Sequence, residues 1–134
     1  MKDFYVAVDF DGTVVDHCYP DIGSEVPGAE EWLKKLDSAG VKLILFTMRS
    51  NGIEGNYLNE AVSWFKARGI KLFGINRNPT QDSWTDSPKA YAHIYVDDAA
   101  FGCPLKENPK MGGRPYVDWS VVGPAIWAEL GDDE

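Results

Sequence analysis

Short β-rich apolar runs alternate along this chain with segments of helical period, and that alternation restricts its possible folds more than any other feature. FYVAV (4–8), VKLILFT (41–47), IKLFGIN (70–76) and HIYVDD (93–98) read as strands. VPGAEEWLKKLDSAG (26–40) reads as a helix: Pro27 suits a first turn, acids stand near its start, Trp32, Leu33 and Leu36 make an apolar stripe, and Gly40 supplies the stop. NYLNEAVSWFKARG (56–69) has the same character, with Leu58, Ala61, Val62 and Phe65 on one face and Gly69 closing it. SPKAYA (87–92) predicts a short helix or turn, and DWSVVGPAIWAEL (118–130) a last helix bent at Gly123-Pro124. Such alternation with short joints predicts an α/β domain with a mainly parallel, Rossmann-like sheet between two covering layers, joined by right-handed crossovers.

With 134 residues, no linker and no low-complexity tract, one domain is expected. No apolar run approaches the roughly 20 residues needed to span a bilayer. The N-terminus, MKDFYVAVDF, carries acid inside what would be a signal's apolar core, so the expected setting is the cytoplasm. Cys18 and Cys103 are too few for a zinc ribbon or a disulfide framework and read as reduced thiols. The net charge of −8, with scattered basic residues, disfavours an extended nucleic-acid surface, which needs clustered Lys and Arg. It leaves room for a single phosphate pocket.

In open parallel sheets ligands bind beyond the carboxyl ends of the strands. Polar residues gather there from distant parts of this sequence. The first strand runs into Asp9, Asp11, Gly12 and Thr13. The second ends in Thr47, followed by Arg49, and the fourth ends in Asp97 and Asp98, with Lys89 just ahead of it. Converging carboxylates repel one another and persist at neutral pH only if protonated or bound to a cation. An all-oxygen set with open positions suits Mg²⁺, with Asp9 and Asp97 as the natural direct ligands. Asp9 and Asp11, two residues apart on extended backbone, point the same way, so one can attack while the other moves a proton. Around a phosphoryl group, Lys89 would cancel charge and the Thr47 hydroxyl would donate. Gly12 would let the backbone N–H groups approach.

The motif DFDGT (9–13), after an apolar strand, resembles the first motif of the haloacid dehalogenase superfamily, D-x-D-G-T. Thr47 in LILFTMR is similar to that family's second motif, Lys89 to the basic third, and Asp97-Asp98 in IYVDD to the acidic fourth. The resemblance spans residues 4 to about 102. It implies that Asp9 is the nucleophile and Asp11 the general acid/base. It also implies Mg²⁺ bound by the Asp9 side chain, the Asp11 backbone carbonyl and Asp97, with Asp98 a ligand through water or an orienter of Lys89. Thr47 and Lys89 would then bind the transferring group. The second acid, Asp11, favours phosphoryl transfer over carbon–halogen cleavage. Neither interval where the family inserts a cap, 14–27 nor 77–88, has room for a domain, so the resemblance is to a capless phosphatase. An open site suits a phosphorylated small molecule, a macromolecular phosphoester, or closure by a second subunit of a homo-oligomer.

Other readings stand beside this one. A phospho-acceptor receiver shares the acids, Thr and Lys, but its acceptor Asp ends the third strand, where this chain has GIN. A phosphate-binding module without turnover would need only one of Asp9 and Asp11. Arg49 reads equally as an anion contact and as a surface or capping residue. Thr13 reads as a substrate-loop or turn residue. His17 reads as a loop histidine, with a substrate contact from the flap as the alternative. His93 reads as structural, and Trp119 as the residue that docks the last helix.

Overall fold

The computed structural model describes residues 3–131. Four strands, β1 (Tyr5–Val8), β2 (Lys42–Leu45), β5 (Gly74–Ile75) and β6 (Ile94–Val96), form one sheet in the order β5-β2-β1-β6, and all pairs are parallel. Each strand is shorter than its apolar run, with Phe4, Phe46 and residues 70–73 outside the strands. Two helices, α1 (Ala29–Ser38) and α2 (Tyr57–Ala67), carry the chain from β1 to β2 and from β2 to β5. The last helix, α3 (Trp119–Leu130), is continuous through Pro124. Pro124, in the helix's second turn, does not interrupt it. Only one carbonyl there loses its usual donor.

Chain direction and handedness decide which face each segment covers. The steps β1→β2→β5 run one way across the sheet, so right-handed crossovers put α1 and α2 on the same face. There Val6, Val8, Leu43 and Leu45 pack with Leu33 and Leu36 of α1, Phe65 of α2, and Trp119 and Ile126 of α3. The step β5→β6 reverses direction and must cross the opposite face. That covering layer is not a regular α-helix. It is a 3-10 helix, Pro79–Ser83, followed by extended chain whose Ala90 and Ala92 pack on Tyr5, Ala7 and Ile44. No helix forms at 87–92. Gln81 instead bonds the Ser87 and Lys89 carbonyls and the Tyr91 N–H, taking over the backbone pairing a helix would have made.

Two small antiparallel elements were not expected from the sequence. A hairpin, β3 (Asn51–Gly52) with β4 (Gly55–Asn56), follows β2. A ribbon, β7 (Leu105–Lys106) with β8 (Tyr116–Val117), organises the Gly/Pro-rich stretch. Among the described residues no helix is long and apolar enough to cross a membrane.

Candidate active site

The sheet order reverses between β1 and β6, and a pocket of about 630 Å³ opens beyond the carboxyl ends of β1, β2 and β6. Asp9 and Asp11 line it from β1, Thr47 and Arg49 from β2, and Asp97 and Asp98 from β6. The flap after β1 adds His17, Cys18 and Tyr19, Met48 stands on the rim, and Arg114 reaches in from the turn ahead of β8.

Carboxylate oxygens of Asp9, Asp97 and Asp98 lie within 4.8 Å of one another, an arrangement that could hold a metal ion. Burial, and then the charge of Asp97, push the Asp9 carboxyl from its ordinary 3.8 up to about 8. A bare Asp9 is therefore largely protonated at neutral pH, and a cation among the three would relieve the repulsion that makes it so. The donor set is all oxygen, which fits a hard divalent cation. The Asp11 carboxylate is outside this trio and turns to Arg49.

The loop that carries the acids is held from two sides. Thr13 is fully buried, and its hydroxyl lies 3.4 Å from Asp9 Oδ2 as donor while accepting from the Asp98 N–H at 3.2 Å. The Thr13 carbonyl accepts from Trp119 Nε1 at 2.7 Å, and the Gly12 carbonyl from the Val117 N–H at 3.0 Å. Thr13 is thus a positioning residue and not a substrate contact. Gly12 does not serve a phosphate with its own N–H either. Its N–H is spent on the Val15 carbonyl at 2.7 Å, so it is not offered to a phosphate. Its φ of +83° favours glycine, and a Cβ there would meet the His17 ring at 2.3 Å and Asp98 Oδ2 at 2.6 Å. The close approach that Gly12 permits is therefore that of His17 and Asp98.

His17 is not a plain loop histidine. Its Nε2 stands 3.1 Å from the Pro115 carbonyl and 3.4 Å from Asp98 Oδ2. Both neighbours only accept there, so Nε2 carries a proton. Thr47 is fixed by its own N–H, which donates at 2.8 Å to Oδ1 of Asn76, a residue in the left-handed region at φ 57°. Arg49 is neither a substrate contact nor a surface residue. It is 2 % exposed, and all five of its guanidinium N–H donors are used. Nε and Nη2 grip Asp11 at 2.8 and 2.7 Å, Nη2 also bonds the Asp21 carbonyl at 2.8 Å, and Nη1 bonds the Pro20 and Tyr57 carbonyls at 3.1 and 3.5 Å. No donor remains for a substrate anion.

Lys89 is exposed and does not line the pocket; its ammonium lies 5.3 Å from the centre of the Tyr95 ring. Tyr95 and Asp97 are two residues apart on extended chain, so Lys89 does stand on the sheet face that carries Asp97. His93 is structural as expected, stacked on Phe4 and Tyr5 with Nδ1 accepting the Tyr5 N–H at 3.0 Å. Sequence reasoning missed Arg114, Tyr19 and Met48 as lining residues and Asn76 as a support. No local pattern marks Arg114, since only the β7–β8 ribbon returns it to the site. A histidine six residues beyond a D-x-D pair was a usable signal for His17.

No protein-family model matches the chain, and neither does any curated protein. A solved structure, that of a conserved protein coded by a locus of Bacteroides thetaiotaomicron, is 35% identical in sequence and superimposes with a TM-score of 0.73. The match covers 96% of this chain and 93% of that one. At that identity over nearly the whole of both chains, the protein belongs to the same family as the Bacteroides protein.

Proposed function

We propose that the protein is a Mg²⁺-dependent phosphohydrolase, a capless relative of the haloacid dehalogenase superfamily, that works through an aspartyl-phosphate on Asp9. The observation that carries this reading is the meeting of Asp9, Asp97 and Asp98 beside Asp11 and Thr47 in one pocket at the sheet's switch point. Asp9 would join the Mg²⁺ through its side chain together with Asp97, and Asp98 would complete the carboxylate trio. The bound cation supplies positive charge that keeps Asp9 ionised and offsets the phosphoryl oxygens.

In the first step an Asp9 oxygen attacks phosphorus, the bond from phosphorus to the leaving oxygen breaks, and Asp11 gives that oxygen its proton. In the second, Asp11 takes a proton from water, the water oxygen attacks phosphorus, and the Asp9–phosphorus bond breaks to release phosphate. Thr47 donates to a phosphoryl oxygen. Lys89, on a flexible four-carbon stem, swings from Tyr95 to the same group. The substrate is a phosphorylated small molecule or a macromolecular phosphoester, admitted because no cap covers the pocket among the described residues. A cytoplasmic setting fits this reading, since Cys18 and Cys103 are both free thiols.

Hydrolysis of an aryl phosphate, measured with and without Mg²⁺ in wild type and Asp9→Asn, tests the proposal. Turnover should need Mg²⁺ and fall by at least about 10³-fold in the variant. Equal rates in the two proteins would sink the assignment.

A further inference from the structure

We infer that Arg49 is the positioning residue of the proton shuttle, holding Asp11 toward the pocket while tying it to the flap and to α2. This deepens the phosphohydrolase reading and rests on it. An aspartate in a surface loop ordinarily samples several rotamers. Here a two-pronged bond from Arg49 Nε and Nη2 fixes the plane of the Asp11 carboxylate. The order of the two groups matters. The Asp11 side chain is 20% exposed and that of Arg49 1%, so a substrate meets the carboxylate and the guanidinium stands behind it. The other three guanidinium bonds go to the carbonyls of Pro20 and Asp21 in the flap and of Tyr57 at the start of α2. The backbone N–H of Arg49 donates to the Thr47 hydroxyl oxygen at 3.1 Å, which links the anchor to the phosphoryl-binding residue.

A proton is passed only across hydrogen-bond reach, roughly 2.6–3.2 Å between heavy atoms, so fixing the donor's direction raises the fraction of encounters that succeed. Asp11 enters the first step with one oxygen protonated, that oxygen still accepting from Arg49 through its other lone pair. The proton passes to the leaving oxygen as its bond to phosphorus breaks, and the proton taken from the attacking water in the second step restores the acid for the next turnover. An aryl oxygen departs readily without that proton, whereas an alkyl oxygen needs it.

The test compares wild type, Asp9→Asn, Asp11→Asn, Arg49→Met and the Asp11→Asn/Arg49→Met pair. The probes are nitrophenyl phosphate and glycerol phosphate with Mg²⁺, read as kcat/KM, which reports leaving-group departure. Arg49→Met should lose about 10²-fold on the alkyl ester and only several-fold on the aryl ester. The double variant should fall within roughly threefold of Asp11→Asn, because both substitutions remove one function. Equal losses on the two esters, with additive losses in the pair, overturn the inference. Absence of Asp9-dependent turnover in wild type overturns the phosphohydrolase reading and this inference with it. Normal wild-type turnover with additive losses overturns only the role of Arg49. Where Arg49→Met alone fails to fold, the double variant, which removes both charges, decides: parity with Asp11→Asn supports the role, and a further tenfold loss in a cooperatively melting protein refutes it.

Discussion

At the scale of single residues, the site depends on groups that never touch a ligand. Thr13 bridges the Asp9 carboxylate and the Asp98 N–H with one hydroxyl, inside a core where water cannot replace it. Thr13→Val keeps the shape and removes both bonds. Leaving the Asp98 N–H without its partner should cost about 1–3 kcal/mol in thermal or urea unfolding. On the proposed function, loss of support for the Asp9 carboxylate and the Asp98 backbone should also raise the Mg²⁺ concentration needed for half-maximal activity by roughly tenfold or more. An unchanged Mg²⁺ requirement would show that the hydroxyl serves stability alone. The motif DFDGT was legible as a site and Thr13 as a residue that could hold its turn, but nothing in the motif shows that the Gly12 N–H is spent on Val15. A sequence shows which side chains are polar but not which of their bonds are already made.

At the scale of elements, α1 and α3 meet because α3 has a glycine at the contact. A Cβ on Gly123 would come within 2.2 Å of the Trp32 ring, over which the Lys35 ammonium also stands, 4.9 Å from its centre. Gly123→Ala sets two effects against each other. Helix propensity favours alanine by about 1 kcal/mol. Overpacking a rigid ring costs about 1–3 kcal/mol. The net expectation is a modest loss of stability, seen as a melting temperature lowered by several degrees; a higher one would mean that Trp32 moves freely aside. The helices were readable because period and stop signals are local. The β3–β4 hairpin and the β7–β8 ribbon were not, because two-residue strands carry too little pattern to register.

At the scale of the whole molecule, the gathered acids link stability to pH and, on the proposed function, to Mg²⁺. Asp9 titrates near 3.8 when unfolded and is pushed up to about 8 when folded. Below pH 4 both states hold the proton. As pH rises toward 8 the unfolded chain releases it and the native protein keeps it, so the contribution to stability is lost across that window. Metal-free wild type should therefore lose stability relative to Asp9→Asn between about pH 4 and 8, by an amount on the order of a few kcal/mol. Saturating Mg²⁺ should flatten the difference, because the cation favours the ionised carboxylate. Melting curves of the two proteins that run parallel across this range without metal would remove Asp9 as the source.

The sequence by itself determined the strand and helix alternation, the parallel sheet, and the edge at which Asp9, Asp11, Thr47, Asp97 and Asp98 collect. These follow from periodicity and from the handedness of chain crossovers, which act over a few tens of residues. The tertiary structure alone decided the partners. Arg49 turned inward to Asp11, and the span from Arg114 to Trp119 came back across a hundred residues to hold Gly12, Thr13 and His17. Lys89 stayed outside the pocket on Tyr95. Such pairings depend on which buried donor lies nearest an unmet acceptor once the chain has closed, and no local pattern encodes that distance.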